Sequence, residues 1–349
     1  MRIVAVGKGL PSHYYDQEQL LSALKERWGG RHYNLERLEN LHKNVLVGGR
    51  YLSLPIEEYD RLTTFGAAND AWIRVAQDVG EAAVRDALAL AGLSTGDVGA
   101  FFFVTVTGVA TPSIDARLIN RMGLPPSVKR VPIFGLGCVA GAAGIARAAD
   151  YVKAYPDQVA LLLSVELCSL TLQREDLSIP NLIASGLFGD GAAAVLVAGE
   201  ERDLPGPRVL ATRSIFYPDS ERVMGWDISE RGFKIVLDAS VPEVARQHLR
   251  RDVDAFLADQ GLTIADISSW VAHPGGPKVL EAMSESLDLP PGALDVTWRS
   301  LAEVGNLSSS SVLMVLKDTL EKHRPYAGTL GLLMAMGPGF CSELVLLEW

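Results

Sequence analysis

Cysteine is scarce in these 349 residues: three occur, Cys138, Cys168 and Cys341, far apart and odd in number. That excludes a disulfide framework and a zinc ribbon, and leaves free thiols to be explained. No block of Lys or Arg occurs, and 32 basic against 42 acidic residues give a net charge of −10, so a nucleic-acid backbone is not an expected partner. Long apolar runs are missing as well. The opening MRIVAVGKGL is broken by Gly7 and Gly9, too short for a signal h-region or a membrane span, and a cytoplasmic protein is expected. There is no low-complexity tract. What remains is globular composition, 48% hydrophobic and 21% charged, enough for a large core.

The one plausible seam is the charged, Pro-containing stretch 199–207, which divides the chain into expected halves 1–203 and 204–349. Before it, periodicity predicts strands at 2–6, 100–106, 131–134, 159–165 and 192–198, with helices at 17–28, 69–91 and 113–122 and one opening near Cys138. After it come strands at 209–216, 233–237, 270–272, 329–334 and 342–347 and helices at 242–259, 278–287 and 309–323. Alternating strands and helices imply a layered α/β architecture with largely parallel sheets. LFGDGAAAVLVAG closes the first half and MAMGPGFCSELVLLEW the second, each a Gly-x-Gly turn running into an alternating strand. The chain reads as two related halves, against the plainer alternative of two unrelated glycine turns.

In VPIFGLGCVAGAAGIARAADYV an apolar strand runs through Gly-Leu-Gly-Cys into a small-residue helix. That places Cys138 at a helix N-terminus, where unpaired N–H groups and the dipole favour a thiolate; the alternative is a buried structural cysteine. Gly135-x-Gly137-x-x-Ala140 also fits a loose dinucleotide-binding pattern, but the acidic residue expected about 20 positions on at a strand end is missing. His273 follows an apolar strand and precedes a Pro-Gly-Gly turn, and Asn306 stands before Ser308–Ser311 at a helix start. Singly these read as a hydrogen-bonded His and a capping Asn. Together they are a thiol, an imidazole to pair with it, and an amide that donates without titrating. A Cys–His pair takes acyl groups from thioesters, and a His–Asn pair aimed at one carbonyl oxygen suits a decarboxylation that forms an enolate.

FGLGCVAG, LFGDGAAA, AHPGGPK, GNLSSSSV and the terminal MGPG resemble, in order and approximate spacing, the chalcone-synthase-like type III polyketide synthases over almost the whole chain. The resemblance implies a five-layered αβαβα thiolase fold of two pseudo-symmetric halves, a homodimer, and Cys138, His273 and Asn306 as the catalytic set. It implies gatekeepers Phe188 and Phe233, and a pocket shaped by Val106, Thr107, Thr111, Cys168, Thr171, Ser308 and Met336. Lys43 and Arg50 are candidates for CoA contact. Acyl-CoA and malonyl-CoA are the implied substrates, with no further cofactor, metal or acyl carrier protein. Thr107 with Cys168 is similar to bacterial members that make alkylpyrones or alkylresorcinols from long-chain starters, and Val106 stands where members building tetrahydroxynaphthalene from malonyl units carry cysteine. The alternatives are such a tetrahydroxynaphthalene-type synthase and a chain-initiating ketoacyl-ACP synthase. A non-catalytic relative and a papain-type hydrolase are weaker rivals.

Overall fold

The computed structural model describes residues 1–28 and 35–349. Its main sheet has nine strands, arranged so that the two halves of the chain mirror one another. In the first half the opening strand Arg2–Gly9 lies antiparallel to the closing strand Asp190–Ala198, followed by Val159–Leu167, Val98–Thr105 and the edge strand Lys129–Phe134. In the second half Arg208–Phe216 lies antiparallel to Cys341–Glu348, followed by Leu330–Gly337 and Ile267–Ala272. The halves meet where Arg2 pairs with Arg208. The two Gly-x-Gly turns thus lead into strands with equivalent places in the two halves. The largely parallel sheet expected from the sequence is corrected: among the described residues three of the sheet's eight strand pairings are parallel. First and last strands of each half run side by side in opposite directions, and only the outer strands are joined by helical crossovers.

Five layers follow from alternation along the strands. Leu161, Leu163 and Val165 point to the helix Phe65–Ala91, while Ala160 and Leu162 point to a central layer. In the other half Leu333 and Ala335 face that central layer, and Leu332, Met334 and Met336 face the helices Val241–Ala258 and Pro277–Leu287. A one-residue slip would exchange these faces, so burial on both sides fixes the register. The central layer is the pair Ala140–Ala154 and Ser309–Lys322. They pack closely enough that a Cβ on Gly141 would sit 2.3 Å from the Ser309 carbonyl oxygen. Both helices start at the candidate residues, which therefore meet at the centre of the molecule.

Candidate active site

Cys138 occupies a 3₁₀ turn, Gly137–Val139, immediately before the first central helix. Gly137 is required there: its φ is +57°, and a Cβ would lie 2.7 Å from the ring of Pro338 in the terminal loop. The Cys138 thiol donates to Ser308 Oγ at 3.7 Å. Ser308 N donates to Asn306 Oδ1 at 2.8 Å, and Asn306 Nδ2 donates to the Gly275 carbonyl at 3.4 Å. Gly275 N donates in turn to the His273 carbonyl at 2.9 Å. One chain of contacts therefore ties the three predicted residues together through the Pro-Gly-Gly turn and the serine run.

All three are buried, Asn306 at 1% and His273 at 2% exposure. With Oδ1 held by a backbone N–H, the Asn306 amide is oriented and its N–H edge is defined. Among the described residues neither ring nitrogen of His273 has a hydrogen-bond partner, an arrangement that costs free energy unless a ligand supplies one. Burial pulls the imidazole down to about 3, so it is neutral in the empty site. Burial also pushes the Cys138 thiol up to about 12, offset in part by Ser308 and reinforced by the charge of Glu166. The thiolate expected at the helix start is thus replaced by a resting thiol, because desolvation outweighs the few N–H groups the turn presents.

Cys138 and Ser308 open onto a cavity that also borders Val106, Cys168, Phe188 and Pro338. Its cover is an antiparallel ribbon, Met224–Ser229 paired with Gly232–Leu237, in which Trp226 faces Ile235. Cys168, Phe188, Trp226 and Ile235 also border a second, larger chamber that opens to solvent. That chamber reaches the helix Gln17–Trp28 and is bordered by Thr171 and Arg50. Phe188 stands between the two spaces and is tied to Asn306, whose carbonyl accepts from Gly189 N at 3.0 Å.

The remaining candidates, Arg50 apart, lie away from these two spaces. Phe233, a residue of the ribbon itself, is buried edge-on to Phe65 with ring centroids 5.4 Å apart, and the ribbon residue Trp226 borders both cavities. Sequence reasoning missed Trp226; the alternation across the 224–237 hairpin was its only signal. Thr107 Oγ1 donates to Glu166 Oε2 at 2.9 Å and accepts from Leu167 N and Trp72 Nε1, so its hydroxyl is used up inside the protein. Met336 is buried in the outer core of the second half. Thr111 and Lys43 are exposed. Arg50 is buried, with Nη1 and Nη2 on the carbonyls of Gly186 and Ser185, where it caps the helix Ile179–Leu187. Among the described residues no cluster of metal-ligating side chains occurs, and no helix is long and apolar enough to cross a membrane.

Beneath the site lies a buried polar layer. Glu166 accepts from Val106 N at 3.1 Å, from Thr107 at 2.9 Å and from Ser309, and desolvation raises its carboxyl to about 7. Ser164 links Ser309 and Ser310 at 2.8 and 2.7 Å, so each serine of the run has its own partner.

A mirrored five-layer α/β body with a buried cysteine at the start of a central helix has the thiolase fold of the condensing enzymes. The sequence comparisons narrow this. Residues 1–201 match the chalcone and stilbene synthase N-terminal domain, and residues 208–348 match the corresponding C-terminal domain. The chain is 51% identical over 350 residues to a 1,3,6,8-tetrahydroxynaphthalene synthase of Streptomyces peucetius subsp. caesius, covering 99% of this chain and 93% of that one. To a phloroglucinol synthase of Pseudomonas fluorescens it is 33% identical over 343 residues, covering 97% and 96%. The solved tetrahydroxynaphthalene synthase of Streptomyces coelicolor A3(2) superposes with a TM-score of 0.95 at 32% identity, covering 100% and 99% of the two chains. The chain belongs to the chalcone and stilbene synthase family, the type III polyketide synthases, decarboxylating acyltransferases that act on CoA thioesters.

Proposed function

We propose that Cys138, His273 and Asn306 are the reacting groups, and that the chain builds an aromatic polyketide of the tetrahydroxynaphthalene type from malonyl-CoA. The Cys138 sulfur attacks the thioester carbonyl while His273 takes its proton, and CoA leaves as a thiol. A second malonyl-CoA then loses carbon dioxide. The electron pair of the broken C–C bond forms an enolate whose oxygen lies between an imidazole N–H and the Asn306 amide. The enolate carbon attacks the Cys138-bound carbonyl, the C–S bond breaks, and the chain is two carbons longer. The observation that carries this set is the buried His273 ring, without a partner among the described residues, linked through Gly275 to the oriented Asn306 amide.

The malonyl-only product rests on the 51% identity to a tetrahydroxynaphthalene synthase over nearly the full chain. A second reading, an acyl-CoA starter of medium or long chain closed to an alkylpyrone or alkylresorcinol, is favoured by Val106 at the cavity wall. In ring closure, Thr105 and Thr107 bring hydroxyls to Glu166 but keep them inside the protein, so the cavity wall at Val106 stays apolar. We take the working form to be a homodimer, since the exposed Thr111 can shape a pocket only if it belongs to a neighbouring copy. Mass spectrometry of products from malonyl-CoA alone, then with acyl-CoA starters, tests the assignment. A naphthalene product from malonyl-CoA alone supports the first reading, and products only when a starter is added replace it with the second. Activity only with malonyl-ACP would move the chain to the ketoacyl-ACP synthase class.

A further inference from the structure

Two walls of the catalytic cavity come from segments far apart in the chain, and one serine joins them. Pro338 in the terminal loop and Met224 and Gly225 at the start of the ribbon border the cavity together with Gly137 and Cys138. The loop grips the turn that carries Cys138 from both sides. A Cβ on Gly337 would lie 2.6 Å from Val139 N and 3.1 Å from the Leu136 carbonyl oxygen, and one on Gly137 would lie 2.7 Å from the Pro338 ring. Contact this close makes the turn follow any movement of the loop. The loop is fixed in turn through Phe340, whose carbonyl accepts from Tyr217 N at 2.9 Å and whose N–H donates to Ser220 Oγ at 2.6 Å. Ser220 is buried, and its own hydroxyl donates to the Tyr217 carbonyl. Its backbone carbonyl accepts from Val223 N at 3.1 Å, which turns the chain into the ribbon at Met224. The far end of the ribbon returns to the same place, where Asp238 N donates to the Val223 carbonyl at 2.9 Å. Neighbouring Asp219 has φ at +59°, a left-handed conformation that is costly for a residue with a Cβ and persists where the surrounding bonds over-determine it.

We propose that Ser220 is a positioning residue: by holding the Phe340 N–H it keeps Pro338 against Gly137, and so sets the Cys138 sulfur relative to the enolate formed at His273 and Asn306. The inference rests on the polyketide synthase reading above, and it deepens that reading by naming what aligns the two reacting carbons. Ser220 does not itself border the cavity, so it acts through the loop. The two chemical steps depend on that loop differently. Loss of carbon dioxide needs the oxyanion site at His273 and Asn306, which are tied to each other through Gly275. Carbon–carbon bond formation also needs the Cys138-bound acyl carbon within reach of the enolate carbon, and a displacement of about 1 Å costs on the order of a hundredfold. Removing the Ser220 hydroxyl leaves a buried N–H without its acceptor and frees the loop to shift. Condensation then suffers while decarboxylation continues.

The experiment measures polyketide and acetyl-CoA in parallel, from malonyl-CoA alone and with an acyl-CoA starter, in the wild-type protein, Ser220→Ala, Ser220→Thr and Pro338→Ala. In Ser220→Ala the polyketide formed per acetyl-CoA released should fall by about tenfold to a hundredfold. Ser220→Thr keeps the acceptor and should recover the ratio; a folded Ser220→Thr that does not recover it counts against the inference. A merely structural role would lower both products with the folded fraction, and an unchanged ratio in folded Ser220→Ala overturns the proposal. Pro338→Ala removes the contact at the other end of the same path and should show the same drop. An unchanged ratio there is equally fatal, even where Ser220→Ala does not fold. In the double variant the drop should be no larger than in the more affected single one, whereas drops that multiply make the two residues independent and refute the shared path. A wild-type protein that forms no polyketide from either mixture ends the polyketide synthase reading and this inference with it. Wild-type polyketide with an unchanged ratio in the variants removes Ser220's role alone.

Discussion

Cys138 Sγ and Ser308 Oγ lie 3.7 Å apart although 170 residues separate them, and Ser308 holds this position with φ at +48°. A side chain in that region of backbone space carries strain of about 1–3 kcal/mol, which glycine relieves. Ser308→Gly should therefore keep or raise the melting temperature while removing the hydroxyl that steadies the sulfur. Iodoacetamide alkylation of Cys138 should slow by about tenfold, the worth of one lost hydrogen bond to a charged acceptor. Unchanged alkylation would mean that Ser308 has no hold on the thiol.

The pH dependence of the same reaction follows from burial. With the thiol held up at about 12, the thiolate fraction in the empty site should rise roughly tenfold per pH unit from neutral to about pH 9, without a plateau. A plateau near neutral pH would reveal a Cys138–His273 ion pair already formed before substrate arrives.

Asn306 does two jobs with one amide, accepting from Ser308 N at 2.8 Å and offering N–H groups on its other side. Asn306→Asp keeps the acceptor and removes the donor, so the fold should survive. Decarboxylation of malonyl-CoA, measured as acetyl-CoA released, should fall on the order of a hundredfold to a thousandfold. His273→Ala should do the same, and Cys138→Ala should abolish loading and condensation.

Glu166 gives a stability prediction. Its carboxyl is raised from 4.5 to about 7 by burial, so the folded state holds the proton more tightly than the unfolded chain does. That contribution is fully present below about pH 4.5 and is lost as pH rises through about 7, amounting to about 3 kcal/mol. Glu166→Gln, an isostere of the protonated form, should flatten the melting temperature over that window and stabilise the protein on its alkaline side. A variant with the same slope as the parent would place the titration elsewhere.

Much of this arrangement was legible in the sequence, and the failures have physical causes. The helix at 17–28 and the strand–turn–helix around Cys138 could be read because apolar periodicity and the glycine turn are local signals. The 224–229 strand was missed, since MGWDIS has no alternation strong enough to mark it, and with it Trp226 was lost as a wall of both cavities. The direction of Thr107 was also out of reach. Whether a threonine at a strand end faces a cavity or a buried carboxylate depends on Glu166, 59 residues further along the chain.

That difference separates two residues the sequence treats alike. Cys168 borders both cavities, so Cys168→Phe places a ring in their junction and should shorten the accepted acyl chain, read as a shift in the starter profile at little cost in stability. Thr107 is closed off from both, and its hydroxyl serves Glu166, Leu167 N and Trp72 Nε1. Thr107→Val keeps the volume but leaves two buried donors without acceptors, and should lower stability by about 2 kcal/mol or more with the starter profile unchanged. Thermal melts and product spectra of the pair decide it. If Thr107→Val alters chain length while Cys168→Phe does not, the route from Cys138 to the larger chamber runs past Thr107, and the wall would have to open there when substrate binds.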